Sequence, residues 1–223
     1  MNIQPTAITV LCYGDSNTRG STPTADRYSS NIRWTGLLQE RLGVGYYIIE
    51  EGLGGRTTAL DDLPDRPGKN GKTYLLPCLD SHNPIDIVIM MLGTNDLKER
   101  FNQTPKDISQ NVEGLVKIIK ERGIDRNNKP PKIILLSPPI VDETVPSTKE
   151  NFKGAGEKSK QLASLYQEVA KNYGCEFIDI SKIVQPSKGD GLHLEPEGHS
   201  KIARVLFELL NKSYNITTPI IQV

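Results

Sequence analysis

The sequence predicts an α/β fold built on one parallel five-stranded sheet. Three observations carry that prediction. Short apolar runs recur at 8–13, 46–50, 85–92, 132–137 and 175–179. Segments with apolar residues at helical spacing separate them, and no two runs are joined by a hairpin-type turn. The run at 85–92 is nearly all apolar, as strands buried on both faces are. Parallel strands need crossover connections, and right-handed crossovers lay helices on both faces of the sheet.

The first run ends abruptly in Gly14-Asp15-Ser16. Gly14 allows a sharp turn. Ser16 then leaves the carboxyl end of the strand, the edge at which open α/β sheets bind ligands. Residues 21–33 are polar and irregular and are expected to form a loop at the edge of that site. Trp34, Leu37, Leu38 and Leu42 recur at helical spacing, and Gly43 stops the helix. The second strand leads into Gly52-Leu53-Gly54-Gly55-Arg56-Thr57-Thr58, another glycine-rich turn. The stretch 60–83 holds Pro64, Pro67, Gly68 and Gly71 and is a long excursion, with a short helix expected near 75–79. Connections of this length are usually functional or interfacial. Its Tyr74, Leu75, Leu76 and Leu79 either pack on the parent sheet or meet a second subunit.

The third strand ends in Gly93-Thr94-Asn95-Asp96. Thr104 caps the next helix, Pro105 takes its first position and Asp107 suits its positive end. Pro138-Pro139 forbid continuation of the fourth strand, and a polar loop is expected to about 156. Leu162, Leu165, Tyr166, Val169 and Tyr173 mark a helix stopped by Gly174. After the fifth strand come Asp190-Gly191-Leu192-His193 and a last helix with Ile202, Val205, Leu206 and Leu209 on one face. The tail 215–223 is expected to pack on a neighbour or fray. Its Asn215-Ile216-Thr217 reads as a chance match to a glycosylation acceptor.

At 223 residues the chain is expected to form a single domain over 1–223. Lys plus Arg (27) equals Asp plus Glu (27), so nothing points to nucleic acid or an anionic membrane as partner. No apolar stretch approaches the ~20 residues of a membrane span. The N-terminus lacks the basic region and cleavage site of a secretory signal, so the chain as given reads as cytoplasmic. Three cysteines, Cys12, Cys78 and Cys175, argue against a disulfide framework, and no spacing among them resembles a zinc site. Cys12 and Cys175 read as packing residues.

Four polar clusters follow strands or precede the last helix: Ser16, Gly54-Gly55, Asn95 and Asp190/His193. In a parallel sheet they share one edge. Serine hydrolysis needs these residue types. A hydroxyl is a weak nucleophile and needs an adjacent base. His193 is the candidate base, and Asp190 can reach its other ring nitrogen, fix the tautomer and stabilise the imidazolium. Ser16 N–H, Gly55 N–H and the Asn95 side-chain amide can supply three oxyanion donors. Each piece alone reads as a turn or a helix cap; their joint order is what carries weight. Which of Gly54 and Gly55 supplies the N–H stays open. Asp15 and Asp96 are read as acids that bond loop backbones behind the site, rather than as a glycosidase carboxylate pair. His199 reads as structural and His82 as an exposed loop residue. Arg19 and Arg56 either bind an anionic substrate or serve at the surface or in ion pairs.

The blocks Gly14-Asp15-Ser16, Gly52-Leu53-Gly54-Gly55-Arg56-Thr57, Gly93-Thr94-Asn95-Asp96 and Asp190-Gly191-Leu192-His193 resemble those of the SGNH, or GDSL, hydrolase superfamily. The match runs in order over about 8–210. The contexts Glu50-Glu51-Gly52-Leu53, Met91-Leu92-Gly93-Thr94-Asn95-Asp96 and Ser137-Pro138-Pro139 resemble its bacterial arylesterase/acyltransferase branch. Leu194 follows His193 where many relatives have proline. The resemblance implies a flavodoxin-like three-layer sandwich with strand order 2-1-3-4-5, small acyl esters as substrates, no cofactor or metal, and a homo-oligomer. Short acyl esters of aryl, alkyl or sugar alcohols are expected, with a carbohydrate O-deacetylase as the near alternative. A flavodoxin-like phosphate- or nucleotide-binding module is the alternative from another class, since glycine-rich turns also bind anions.

Overall fold

A computed structural model describes residues 4, 6–63 and 67–214. The expectations for the tail 215–223, including the Asn215 acceptor, lie outside the described residues. Five parallel strands form one sheet: β1 (Ile8–Gly14), β2 (Tyr46–Gly52), β3 (Ile87–Met91), β4 (Lys132–Leu136) and β5 (Glu176–Ile178). Their order is β2-β1-β3-β4-β5, as the resemblance implied. Seven α-helices connect and cover them among the described residues: α1 (Ser16–Arg19), α2 (Trp34–Leu42), α3 (Gly71–His82), α4 (Pro105–Arg122), α5 (Pro146–Lys149), α6 (Ala155–Tyr173) and α7 (Pro196–Tyr214).

Alternation along the strands sends side chains to two separate cores. Leu11, Tyr13, Val88, Met90, Ile133 and Leu135 face α3, α4 and α6. Val10, Cys12, Ile87, Ile89, Ile134 and Leu136 face α2 and α7, where Trp34, Leu38, Ile202 and Leu206 meet them. The helix signals act as read. Thr104 and Asp107 form a reciprocal capping box on α4, and Gly174 ends α6 in the left-handed region.

The differences from expectation are local. β3 is shorter than the apolar run, because Ile85 gives its N–H to Ile124 O outside the ladder. β5 stops at Ile178, because the Asp179 side chain turns to cap the following 3₁₀ turn. The polar loop after β4 contains α5.

The long excursion carries a twelve-residue helix, α3, capped by Asn70 and running through Pro77. The single proline leaves the rest of the helix intact because one face is held by the core: Leu75, Cys78 and Leu79 are buried. The excursion therefore packs on the parent sheet through Leu75 and Leu79. Leu63 (75% exposed) and Tyr74 (38%) remain outside. Leu79→Ala should lower unfolding free energy by about 2–5 kcal/mol, the usual range for a buried leucine. Leu63→Ala should change it by no more than about 0.5 kcal/mol. Urea denaturation of the two variants checks both.

Candidate active site

The carboxyl ends of β1, β2 and β3 finish together, with Gly14 opposite both Gly52 and Met91. The segments that leave these strands therefore emerge side by side on one edge of the sheet. Asp15 caps α1 by accepting the Asn17 N–H at 2.9 Å, which sets Ser16 as the first helical residue. α1 presses against the end of β2. A Cβ on Gly52 would lie 2.1 Å from Arg19 N, so only glycine permits this approach.

The second block is a tight turn. Leu53 N–H donates to Gly14 O at 3.1 Å, and Arg56 N–H closes on Leu53 O at 3.0 Å. Gly55 has φ +79°, the left-handed value that a glycine accepts without strain. The middle peptide of the turn joins Gly54 to Gly55, and its carbonyl accepts a hydrogen bond from Lys69 Nζ. Arg56 is buried. Its guanidinium donates to Gly14 O at 2.9 Å and to Glu51 O, and stacks 4.4 Å from the Tyr13 ring. This corrects both readings of Arg56 as a substrate or surface residue: it holds the ends of β1 and β2. Arg19 does line the cleft, with Nη1 on Ser21 Oγ at 2.9 Å and on Asp26 O at 3.3 Å.

Asn95 opens a 3₁₀ turn and donates one amide N–H to Arg56 O at 3.1 Å. A carboxamide has a second N–H to offer. The fourth block is a compact turn in which Asp190 Oδ1 accepts Leu192 N–H (3.0 Å) and His193 N–H (2.9 Å). Its other oxygen bonds His193 Nδ1. Burial opposes ionisation of Asp190, but the ring and the two backbone donors outweigh it and hold the carboxyl below its usual range.

Ser16, Gly54, Gly55, Asn95 and His193 line one cleft of about 370 Å³, with Leu53, Phe152 and Leu192 among its walls. A second hollow of about 330 Å³, among Ile87, Lys132 and Leu209, has no histidine in its lining. The cleft holds a hydroxyl, an imidazole oriented by a carboxylate, and several N–H donors. That set can activate a nucleophile and stabilise an oxyanion.

Residues 12–201 match the family described as GDSL-like Lipase/Acylhydrolase. The chain belongs to that family. It is 28% identical over 221 residues to an acetylxylan esterase of Xylanibacter ruminicola, an alignment covering 90% of this chain and 42% of that protein. The chain thus spans less than half the length of that relative. Its fold superposes on an aryl esterase of M. smegmatis with a TM-score of 0.86, at 35% identity and with 92% and 99% of the two chains covered. A carbohydrate acetylesterase from Sinorhizobium meliloti gives 0.85 at 37% identity, covering 93% and 100%.

Behind the cleft of this GDSL-family protein lie Asp15, Asn17, Asp96 and His199, all buried. Asn17, which sequence reasoning passed over, is buried and donates to Leu192 O at 3.2 Å while accepting Leu194 N–H at 3.1 Å. It clamps the His193 turn to α1. The signal was available, since an asparagine directly after Ser16 in a polar turn has a donor and an acceptor to place. Asp96 accepts the Thr58 N–H and hydroxyl, and burial pushes its carboxyl up to about 7. His199 is buried, accepts Trp34 N–H at 3.3 Å, and is pushed down to about 4 by burial and then by His193. It lies outside the cleft lining. His82 ends α3, half-buried against Glu51, and not on an exposed loop.

Asp15 is also fully buried, with Oδ2 lacking a partner, and burial raises its carboxyl to about 6 against the Asn17 N–H, which favours the anion. A carboxyl raised in the folded state stabilises the fold below its unfolded value, near pH ~4, and loses that contribution as pH rises through the folded value. A rise to about 6 corresponds to about 3 kcal/mol. Asp15→Asn keeps the acceptor for Asn17 and removes the titration. Its stability relative to the parent should therefore climb by about 3 kcal/mol between pH ~4 and ~6 and stay level above that. Urea unfolding across that range checks it, and parallel profiles would refute it.

Proposed function

We propose that this protein is a serine esterase that removes short, acetyl-like acyl groups through an acyl-Ser16 intermediate. The observation that carries the reading is the Asp190–His193 pair across the same cleft as Ser16. A phosphate cradle needs no carboxylate-oriented imidazole, and membership of the GDSL-like Lipase/Acylhydrolase family supports hydrolysis over nucleotide binding.

Ser16 Oγ attacks the ester carbonyl as His193 takes its proton, and Asp190 steadies the imidazolium. The developing oxyanion meets Ser16 N–H, Gly55 N–H and the free Asn95 N–H. Lys69 acts on the second of these donors. Its ammonium bonds the carbonyl of the peptide whose N–H is Gly55, which fixes the orientation of that peptide and strengthens its N–H as a donor. His193 then protonates the leaving alcohol, and water releases the acyl group. Asp15 and Asp96 bond backbone behind the site and take no part in proton transfer.

The cleft lining joins apolar Leu53, Phe152 and Leu192 to polar Arg19 and Ser21, a mixture that suits sugar and aryl acetates. The names of the relatives, an acetylxylan esterase, a carbohydrate acetylesterase and an aryl esterase, support the same two alcohol classes. The cysteines are unpaired, which supports a reducing, cytoplasmic setting.

Ser16→Ala should abolish hydrolysis of p-nitrophenyl acetate and labelling by a fluorophosphonate while leaving the fold intact. Asn95→Ala should lower kcat by about 10²–10³, the usual loss for one oxyanion donor, with little change in KM. A normal kcat with raised KM would make Asn95 a binding residue only.

Assembly and acyl transfer belong to the same reading. Leu63 and Tyr74 leave apolar surface on the excursion, and a second subunit there would narrow the cleft and limit water. Light scattering should then give a mass above one chain, and added primary alcohol should divert acyl groups from acid to ester. A monomer that yields only acid, at any alcohol concentration, would leave a plain hydrolase.

A further inference from the structure

Away from the cleft, on the α3 side of the sheet, three side chains with metal-binding chemistry converge. Cys78 and His82 stand four residues apart on α3, so they lie on one helical face. Glu51 reaches them from the end of β2. One ligand atom from each lies within 4.8 Å of the others, and His82 Nε2 is 3.0 Å from Glu51 Oε1. A tetrahedral ion bound at about 2.0–2.3 Å from sulfur, nitrogen and oxygen holds its ligands at comparable separations. We propose that Glu51, Cys78 and His82 form a binding site for a zinc-class divalent cation, with the fourth position open to solvent.

The ligand types select the ion. A thiolate and an imidazole favour zinc or cobalt over magnesium or calcium, which prefer all-oxygen shells. Charge balance points the same way. Arg56 and the Tyr74 ring border the cluster, and a cation beside the Arg56 guanidinium needs compensation. The Cys78 thiolate and the Glu51 carboxylate supply two negative charges for a divalent ion.

Binding needs one proton released. As the sulfur–metal bond forms, the Cys78 S–H proton passes to solvent, and no atom changes oxidation state. Left to itself the thiol holds that proton, because burial and then Glu51 push it up to about 12. A metal ion reverses that balance by bonding the thiolate directly. The hydrogen bond between His82 and Glu51 gives way at the same time. The imidazole then carries its proton on the nitrogen facing away from the metal. Access is on the side of His82 and Glu51, which are 30% and 20% exposed.

Titration of the whole protein with Co²⁺ should give a one-to-one complex with a thiolate-to-cobalt charge-transfer band in the near ultraviolet. Zn²⁺ should displace it and raise the thermal unfolding midpoint. Cys78→Ser should remove the band. Because that change falls in the core, His82→Gln and Glu51→Gln at the accessible edge serve as the second test, and each should weaken cobalt binding at least tenfold. Cys175→Ser should leave the band unchanged. The proposal is overturned if the parent protein shows no such band. It is equally overturned if the band survives Cys78→Ser, or if the double variant His82→Gln/Glu51→Gln binds cobalt as tightly as the parent.

Discussion

A single buried guanidinium holds the edge of the sheet on which the chemistry depends. Arg56 ties the last carbonyl of β1 to a carbonyl near the end of β2, and its own carbonyl takes the Asn95 amide from the segment after β3. Burying an unpaired charge costs several kcal/mol unless the site compensates it. Here two carbonyl dipoles and two aromatic faces, Tyr13 and Tyr74, do so. The arrangement needs the strands to end level, and the register of Gly14 with Gly52 and Met91 meets that need. Three chain segments far apart in sequence are thereby placed with the precision of a rigid sheet rather than of loops.

The fourth segment is held differently. The His193 turn follows β5 at the edge of the sheet, beyond the reach of Arg56. Asn17 bridges the gap by pairing with backbone on both sides of His193. Trp34 Nε1 in turn donates to Asn17 O at 3.1 Å, so α2 supports the same junction. Two buried carboxyls, Asp15 and Asp96, complete the support by accepting N–H groups of α1 and of the turn at Thr58. Burial raises both, so the fold is less stable at neutral pH than it would be with neutral groups in their place. Such local losses of stability are common where a site must hold polar groups in fixed positions.

Much of this was legible in the sequence, for a physical reason. Apolar runs and helical stripes are local signals, and glycine at a strand end has few other uses, so the five strands and the polar edge could be read from the sequence. The resemblance of the four blocks then supplied the strand order. The illegible features are those in which a side chain serves a partner far along the chain. Nothing near Arg56 says that it turns inward to carbonyls, and the sequence shows that Asn17 has a donor and an acceptor to place but not that one partner lies 175 residues away. His82 looked exposed because it precedes Pro84, yet it closes a helix whose length depends on Leu75 and Leu79 finding the core. Cys78 gave no metal signal among cysteines alone, because its neighbours His82 and Glu51 come from a helix and a strand that only the fold brings together.

On the proposed reading, donors to the carbonyl oxygen would come from residues held at strand ends, where Arg56, Lys69 and the level register restrict movement. Placement there has to be good to a fraction of an ångström, because hydrogen bonds weaken steeply with misalignment. Ser21 and Ala25 of the 21–33 loop line the same cleft, and the loop is tied to Glu50 of β2 by Arg27 and Arg33 at 2.6 and 2.8 Å. Those ion pairs are partly exposed, and contacts of that kind restrain a loop only weakly. On the proposed reading, changes in that loop would alter which alcohol is accommodated while the donors at the strand ends stay in place.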